Sequence, residues 1–377
     1  MTVSRRKMLG LVGGGVVLAA GAATAGFVNT RTPIDALAPW DTAGAYGDPR
    51  KRALSYALLA PNPHNLQPWM AELRGSDTVV LTMDPNRTLP ATDPNSRQLV
   101  IGMGCFIELM VQAAAQDGYA TALQLFPEGE GPGRPVAIAT FTQGGQPDPL
   151  FAAVAERRTC KEPMDMARPV TDDQILQVTS KLSDEITTTG TAADDRVASL
   201  RDIAWDAWMI EATTEATWGE SVDLLRVGKA EINANPDGID LRSPFLEVLR
   251  RTGMMDRDSL MDQNSQGFKG TLEAYRATFA ATPAFVWSVS EDNTRQAQIA
   301  AGRAWVRMNL KATLMGLSLH PISQCLQEYP EMAENYALIH RTLAQPGQTV
   351  QMLGRLGYGP EIPRSPRWGL DAKMVNA

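Results

Sequence analysis

The segment ERRTCKEP, Glu156 to Pro163, sets Arg157, Arg158, Thr159 and Lys161 within five positions. In an extended chain alternate residues share a side, so Arg157, Thr159 and Lys161 offer a guanidinium, a hydroxyl and an ammonium in one direction. Those are the donors that one phosphate and its neighbouring hydroxyls require, and a guanidinium can engage two oxygens at once. Arg364 and Arg367 lie on a proline-stiffened run near the C-terminus, GYGPEIPRSPRWGLD. Taken singly, each of these arginines reads as a solvated surface charge; the anion site rests on the group. A different kind of segment is APNPHNLQPW, Ala60 to Trp69, which has little backbone freedom and many amide and ring groups to present.

Other chemistries find little support. His64, His320 and His340 stand far apart, and no HExxH or CxxC spacing occurs, so no metal is expected. There is no G-x-S-x-G and no Walker loop, and His320 in GLSLHPIS reads as a packed or capping histidine. Cys105, Cys160 and Cys325 are too widely spaced for a zinc site or a disulfide framework. The formal net charge is −7, and without Arg5, Arg6 and Lys7 the body has 32 bases against 42 acids. Such a body lacks the dense basic face that nucleic acid demands, which leaves a single small phosphate as the expected anion.

The N-terminus has the layout of an export signal. Arg5 and Arg6 precede an uncharged run from Met8 to Ala25 that ends in small residues, and Ser4, Met8 and Leu9 make the start resemble a twin-arginine (Tat) signal. The expected destination is the periplasm or cell envelope by way of the Tat translocase, with cleavage after Ala25; retention as a membrane anchor is the alternative.

The remaining elements must position the polar segments. A proline-bearing linker is expected at 29–47, then a helix over PRKRALSYALLA, strands over TVVLTM and PVAIATF, and between them a helix buried on one face and closing at Gly118. Arg97, Gln98, Gly104 and Gly118 recur 198 positions later as Arg295, Gln296, Gly302 and Gly316, again around a helix that follows a strand-like run. The spacing and the order of elements together indicate two duplicated halves, 48–150 and 151–377, after a signal at 1–28. An insertion or lid is expected at about 184–281.

APNPHNLQPW, RRTCK, GLSLHPISQCLQEYPEMA and LGRLGYGPEIPRSPR, in this order, resemble the Acg-type branch of the nitroreductase-like flavoproteins. The resemblance spans about Asp48 to Asp371. It implies an α+β nitroreductase-like fold in which the two halves form a pseudo-dimer within one chain and share an FMN site. By position, Arg157, Thr159 and Lys161 would hold the FMN phosphate and ribityl chain, with Arg364 and Arg367 completing the phosphate clamp. Pro61, Asn62, Pro63 and Asn65 would reach the flavin from the other half, and His320, Pro321 and Ile322 would flank its ring. The family's start motif usually reads arginine, serine, arginine at alternate positions; Thr159 and Lys161 keep the hydroxyl and the charge. DPRKRALSY in the first half has no hydroxyl at that spacing, so one FMN per chain is expected.

The function implied is an oxidoreductase that passes electrons through FMN from NAD(P)H or another donor to an electron-poor small molecule. Flavin chemistry needs no catalytic acid from the protein, which suits a chain without a triad. The alternative is a protein that binds or sequesters flavin without turning it over.

Overall fold

Residues 31–375 are described in this computed structural model, so the expected signal and its cleavage position lie outside the described residues. Where a linker was expected, helix α1 (Ile34–Thr42) forms and buries Ala36 and Trp40. Trp40 Nε1 donates to the Ser365 carbonyl at 2.8 Å, which fixes the N-terminal helix to the C-terminal run. The polarity and prolines of this stretch disguise a helix whose formation is driven by burial of one indole. Helix α2 (Pro49–Ala57) follows, capped by the Asp48 side chain on the Arg50 amide, with proline at the first position, where its missing N–H costs nothing.

Two four-stranded antiparallel sheets organise the rest. The first has the order β1–β2–β4–β3, from Trp69–Arg74, Thr78–Met83, Ala137–Gln143 and Tyr119–Leu125 respectively. The second has the order β5–β8–β10–β9, from Thr187–Thr191, Ala284–Ser290, Thr349–Gly357 and Ser318–Pro321. Helix α3 (Arg97–Gln116) joins β2 to β3, and helix α11 (Arg295–Leu314) joins β8 to β9. Both helices have 20 residues and both of their ends correspond at the offset of 198. The strand orders correspond as well, so the fold is α+β with two halves of the same topology. Helix α4 (Asp172–Thr179) precedes β5 as α2 precedes β1.

The halves meet along α3 and α11. Helix α3 is buried around nearly its whole circumference, where one buried face was expected, because α11 covers one side and α2 the other. At the crossing, a Cβ on Gly104 would lie 2.3 Å from the Ile299 carbonyl oxygen, and one on Gly302 would lie 1.9 Å from that of Ile101. Ile101 and Ile299 are themselves 198 apart, so the contact is reciprocal, as at a two-fold interface.

The halves differ in what joins their first two strands. A turn at 75–77 joins β1 to β2, whereas 192–283 joins β5 to β8 and carries α5 (Asp194–Thr213), α6 (Glu215–Asp223), α7 (Gly228–Ala234), α8 (Pro244–Arg251), α9 (Arg257–Met261) and α10 (Gln266–Ala280). A short parallel pair, β6 (Leu225–Val227) with β7 (Ile239–Leu241), lies within it. The excursion starts later than the expected 184, because β5 belongs to the sheet. Its tip returns to the first half, where Asp237 binds Arg87 at 2.7 Å and Trp368 Nε1 at 2.9 Å. Helix α12 (Ala333–Leu343) leads to β10, and the chain then recrosses to the first half, where the Val375 amide donates to the Ala71 carbonyl.

Candidate functional site

The turn after α2 carries three non-glycine residues in the left-handed region: His64 at φ 47°, Asn65 at 53° and Gln67 at 52°. Such a run persists only where the surroundings over-determine it. Here they do. Asn62 Oδ1 accepts from the Gln67 amide at 2.7 Å, and Asn62 Nδ2 donates to the Ala60 carbonyl. Asn65 Nδ2 donates to the Pro366 carbonyl, Gln67 Oε1 accepts from the Trp368 amide, and Lys373 Nζ donates to the Gln67 carbonyl at 2.6 Å. The turn rests on α3 at Gly102, where a Cβ would stand 3.1 Å from Asn62 Cβ and 3.3 Å from Pro63 Cδ. The amide of Asn62, a residue expected to reach the flavin, holds the turn. Trp69 stacks on Phe106 in the core below, at 4.7 Å between ring centroids.

Arg157 and Arg367 converge on the C-terminal end of α2. Arg157 Nη2 donates to the Leu59 carbonyl at 3.0 Å, and Arg367 donates to the carbonyls of Leu58, Leu59, Ala60 and Pro366 and to Asn65 Oδ1. Cations suit a helix C-terminus, whose last carbonyls lack partners within the helix. The two differ in what they have left. All three nitrogens of Arg367, expected in a phosphate clamp, are engaged within the chain. Arg157 is 3% exposed, yet its Nε and Nη1 have no partner. Burial lowers Arg157 to about 10, with the charge of Arg158 adding to the fall, and lowers Arg367 to about 9, with the charge of Arg157 adding to it. Neither forms an ion pair with a carboxylate among the described residues; Asp240 acts on Arg367 only at a distance, and no carboxylate is among the charges that act on Arg157.

Trp40, which sequence reasoning passed over, is the point where the arginines gather: the guanidinium carbons of Arg158, Arg367 and Arg364 lie 4.8, 5.5 and 5.8 Å from its ring centroid. Arg364 also pairs with Asp41 at 2.6 Å on the surface, which sets it at the rim instead of beside Arg157. Thr159 is half-buried between Arg157 and Lys161. On the other side of the segment, Glu156, Arg158 and Cys160 line a groove of about 340 Å³ with Ser318 and Gly359.

Lys161 is exposed, and its charge reaches His64 from the first half and His320 from the second. Burial and then Lys161 push His64 down to about 4, and its Nδ1 is buried without a partner. His320 is held neutral by burial, then by Arg355 and Lys161. Arg355 Nε donates to His320 Nδ1 at 3.1 Å, which requires an unprotonated Nδ1 and therefore leaves the ring proton on Nε2. Arg355 is fully buried in β10 and also donates to the carbonyls of Cys160, Glu162 and Thr278, so one guanidinium ties the cationic segment to the histidine. The sequence carried a signal for it: an arginine inside the apolar strand TVQMLGRLG. Of the residues expected to flank the ring, Pro321 is half-buried at the end of β9 and Ile322 packs in the second core.

Glu211 on α5 is the other residue that the sequence did not suggest. Burial raises its carboxyl to about 7; Gln327, donating at 2.6 Å, Gln324 and Lys161 oppose the rise, and Glu220 adds to it. The folded state thus keeps a proton that the unfolded chain releases between about pH 4.5 and 7, so stability from this group is present below 4.5 and is lost as pH rises through 7. Glu211→Gln is expected to raise the melting temperature at pH 8, with a gain on the order of 3 kcal/mol that vanishes near pH 4.5. Equal melting shifts at both pH values would contradict a buried, protonated Glu211.

No family model matches the chain. It is, however, 27% identical over 353 residues to "Putative NAD(P)H nitroreductase acg" of Mycobacterium tuberculosis, covering 85% of this chain and 93% of that one. The chain is similar to Acg-type proteins. A second protein of that organism, also named as an NAD(P)H nitroreductase, is 25% identical over 332 residues, covering 84% and 88%. Among solved structures, a nitroreductase with bound FMN from Bacteroides fragilis aligns at 12% identity and a TM-score of 0.34, covering 59% of this chain and 94% of that one. The FMN-dependent nitroreductase NfnB from Mycobacterium smegmatis in complex with NADPH aligns at 13% and 0.34, covering 58% and 92%. These scores are low, and the architecture stands on the topology described above.

Proposed function

We propose that this chain binds one FMN between its halves and works as a nitroreductase-type oxidoreductase, taking electrons from NAD(P)H or another donor and passing them to an electron-poor small molecule. The observation that carries this reading is Arg157: a buried guanidinium with two unpartnered nitrogens, beside a second buried arginine and without a carboxylate. An isolated buried cation is costly, and a phosphate dianion is the kind of group that offsets it. The Acg-type likeness supports FMN as the bearer of that phosphate.

FMN, when bound, supplies a ring that accepts and donates electrons in pairs. The chain's part is to bind and orient. Arg157 would take the phosphate, with Arg367 holding the end of α2 in place behind it. Pro61, Pro63 and His64 form the wall from the first half, and the strained turn keeps that wall rigid. Lys161 and the Nε2–H of His320 bring a cation and a proton donor from the second half, where negative charge would gather on reduction. The tip of the excursion, with Pro236 accepting from Gln67 Nε2 at 2.7 Å, covers the turn against water.

RRTCK keeps a hydroxyl between its cations at Thr159, whereas DPRKRALSY in the first half has none at that spacing, which supports one flavin per chain. We also propose export by the twin-arginine route, on Arg5 and Arg6; these changed to lysine should block it. Export would part the chain from cytoplasmic nicotinamides, so donors other than NAD(P)H belong in any assay.

Purified protein should be yellow and should bleach anaerobically with NADPH, NADH or dithionite, then recolour with a nitroaromatic or quinone acceptor. Retained FMN that no donor lets turn over would replace the enzyme with a flavin-sequestering protein. A colourless protein that takes up no FMN would end both readings.

A further inference from the structure

Helix α8 (Pro244–Arg251) is built inside out. Its Glu247 side chain is buried and pairs with Arg31 at 3.0 Å, while Phe245 and Val248, which share the opposite face, are 68% and 45% exposed. Met254, just beyond the helix, is 72% exposed, and Ile34, three residues after Arg31, is 65% exposed. Residues 31–33 and Leu37 share one groove with Arg242 and Pro244, so the start of α1 and the start of α8 are neighbours. Four of the nine large apolar side chains exposed among the described residues therefore lie in one region of the surface. A soluble amphipathic helix turns such residues inward; the reverse marks a face meant for an apolar surrounding.

The chain itself says which surrounding. Arg31, paired to the inner side of α8, is six residues from the end of the uncharged run Met8–Ala25, a reach of about 20 Å when extended. The run is uncharged over 18 residues, within the length of apolar sequence that crossing a bilayer requires. It presents far more apolar surface than Ile34, Phe245, Val248 and Met254 could cover, so folding back onto α8 would leave most of it in water. A bilayer accommodates both. Arg5, Arg6 and Lys7 before the run are cationic groups suited to anionic headgroups, whereas Arg250 and Arg251 on α8 are paired with Glu231 and Glu247.

We infer that the outer face of α8 is a membrane contact, pressed against the lipid surface by an N-terminal run retained in the same bilayer. The contact goes beyond the flavin reading and does not depend on it.

The test uses the full chain with Val248→Cys. The native cysteines are all buried, so the new thiol takes a polarity-sensitive dye alone. With vesicles of phosphatidylethanolamine and phosphatidylglycerol, the dye at 248 should shift to the blue and be quenched at least twofold by brominated acyl chains. The same dye at Leu176→Cys, an exposed position on α4, should do neither. Phe245→Ser combined with Met254→Ser should at least halve the quenching of the dye at 248 on the same vesicles without lowering the melting temperature, since both side chains stand in solvent. A water-like dye on vesicle-bound protein would overturn the inference. A blue-shifted dye without vesicles would assign the face to the N-terminal run, or to a second copy if the shift disappears on dilution. A membrane-associated protein whose mature chain starts at Gly26 would overturn it as well.

Discussion

Gly302→Ala is expected to destabilise the whole molecule by about 3 kcal/mol, a fall in Tm on the order of 4 °C. The added methyl would stand 1.9 Å from the Ile101 carbonyl oxygen and 2.9 Å from Gly104 Cα. Both are backbone atoms of a buried helix, so no side chain can swing aside; α3 and α11 must separate, and the cores of both halves loosen with them. Gly104→Ala meets the Ile299 carbonyl at 2.3 Å and should cost a similar amount, since the contact is reciprocal. Gly270→Ala, within α10 and with nothing inside 4 Å, should be neutral or stabilising by up to about 1 kcal/mol, as alanine favours the helix. Thermal unfolding of the three variants decides the matter. A Gly302→Ala protein that melts with the parent would mean that the halves do not meet at this crossing.

Arg157→Met should move flavin affinity and apoprotein stability in opposite directions. In the flavin-free protein it removes a buried cation with two unpartnered nitrogens, and the Leu59 carbonyl keeps Arg367 as a donor, so the melting temperature should hold or rise. With FMN, the lost charge-assisted contact should cost about 2 kcal/mol, close to a 30-fold rise in Kd. Riboflavin, which lacks the phosphate, should bind both proteins alike. A purely structural arginine would instead give a lower melting temperature and parallel losses for both flavins. Fluorescence titration with the two ligands, alongside thermal melts without either, separates these outcomes.

Much of the architecture was readable because it rests on local pattern. The apolar spacing and the bounding glycines of the two long helices repeat at 198, and burial demands that spacing wherever two like helices pack. RRTCK and PNPHN were legible as unusual segments for the same reason: charge density and proline content are visible in one dimension. The residues that slipped past are those whose role comes from distant partners. Trp40 looked like part of a linker, yet three guanidiniums from positions 158, 364 and 367 gather on it. Glu211 looked like one more solvated helix acid until burial raised its carboxyl to about 7.

The sequence by itself determined the mixed α+β composition, the doubling of the fold, and the segments where polar chemistry would be found. Only the tertiary structure decided which arginine is free to bind. Arg157 and Arg367 look equivalent along the chain, but the end of α2 together with Asn65 and Pro366 engages every nitrogen of Arg367, and the end of α2 engages only one of Arg157. Hydrogen-bond capacity is finite, and which donors are left over depends on carbonyls some hundred to three hundred residues away in sequence. Burial then gives the leftover donors their importance, since water cannot satisfy them.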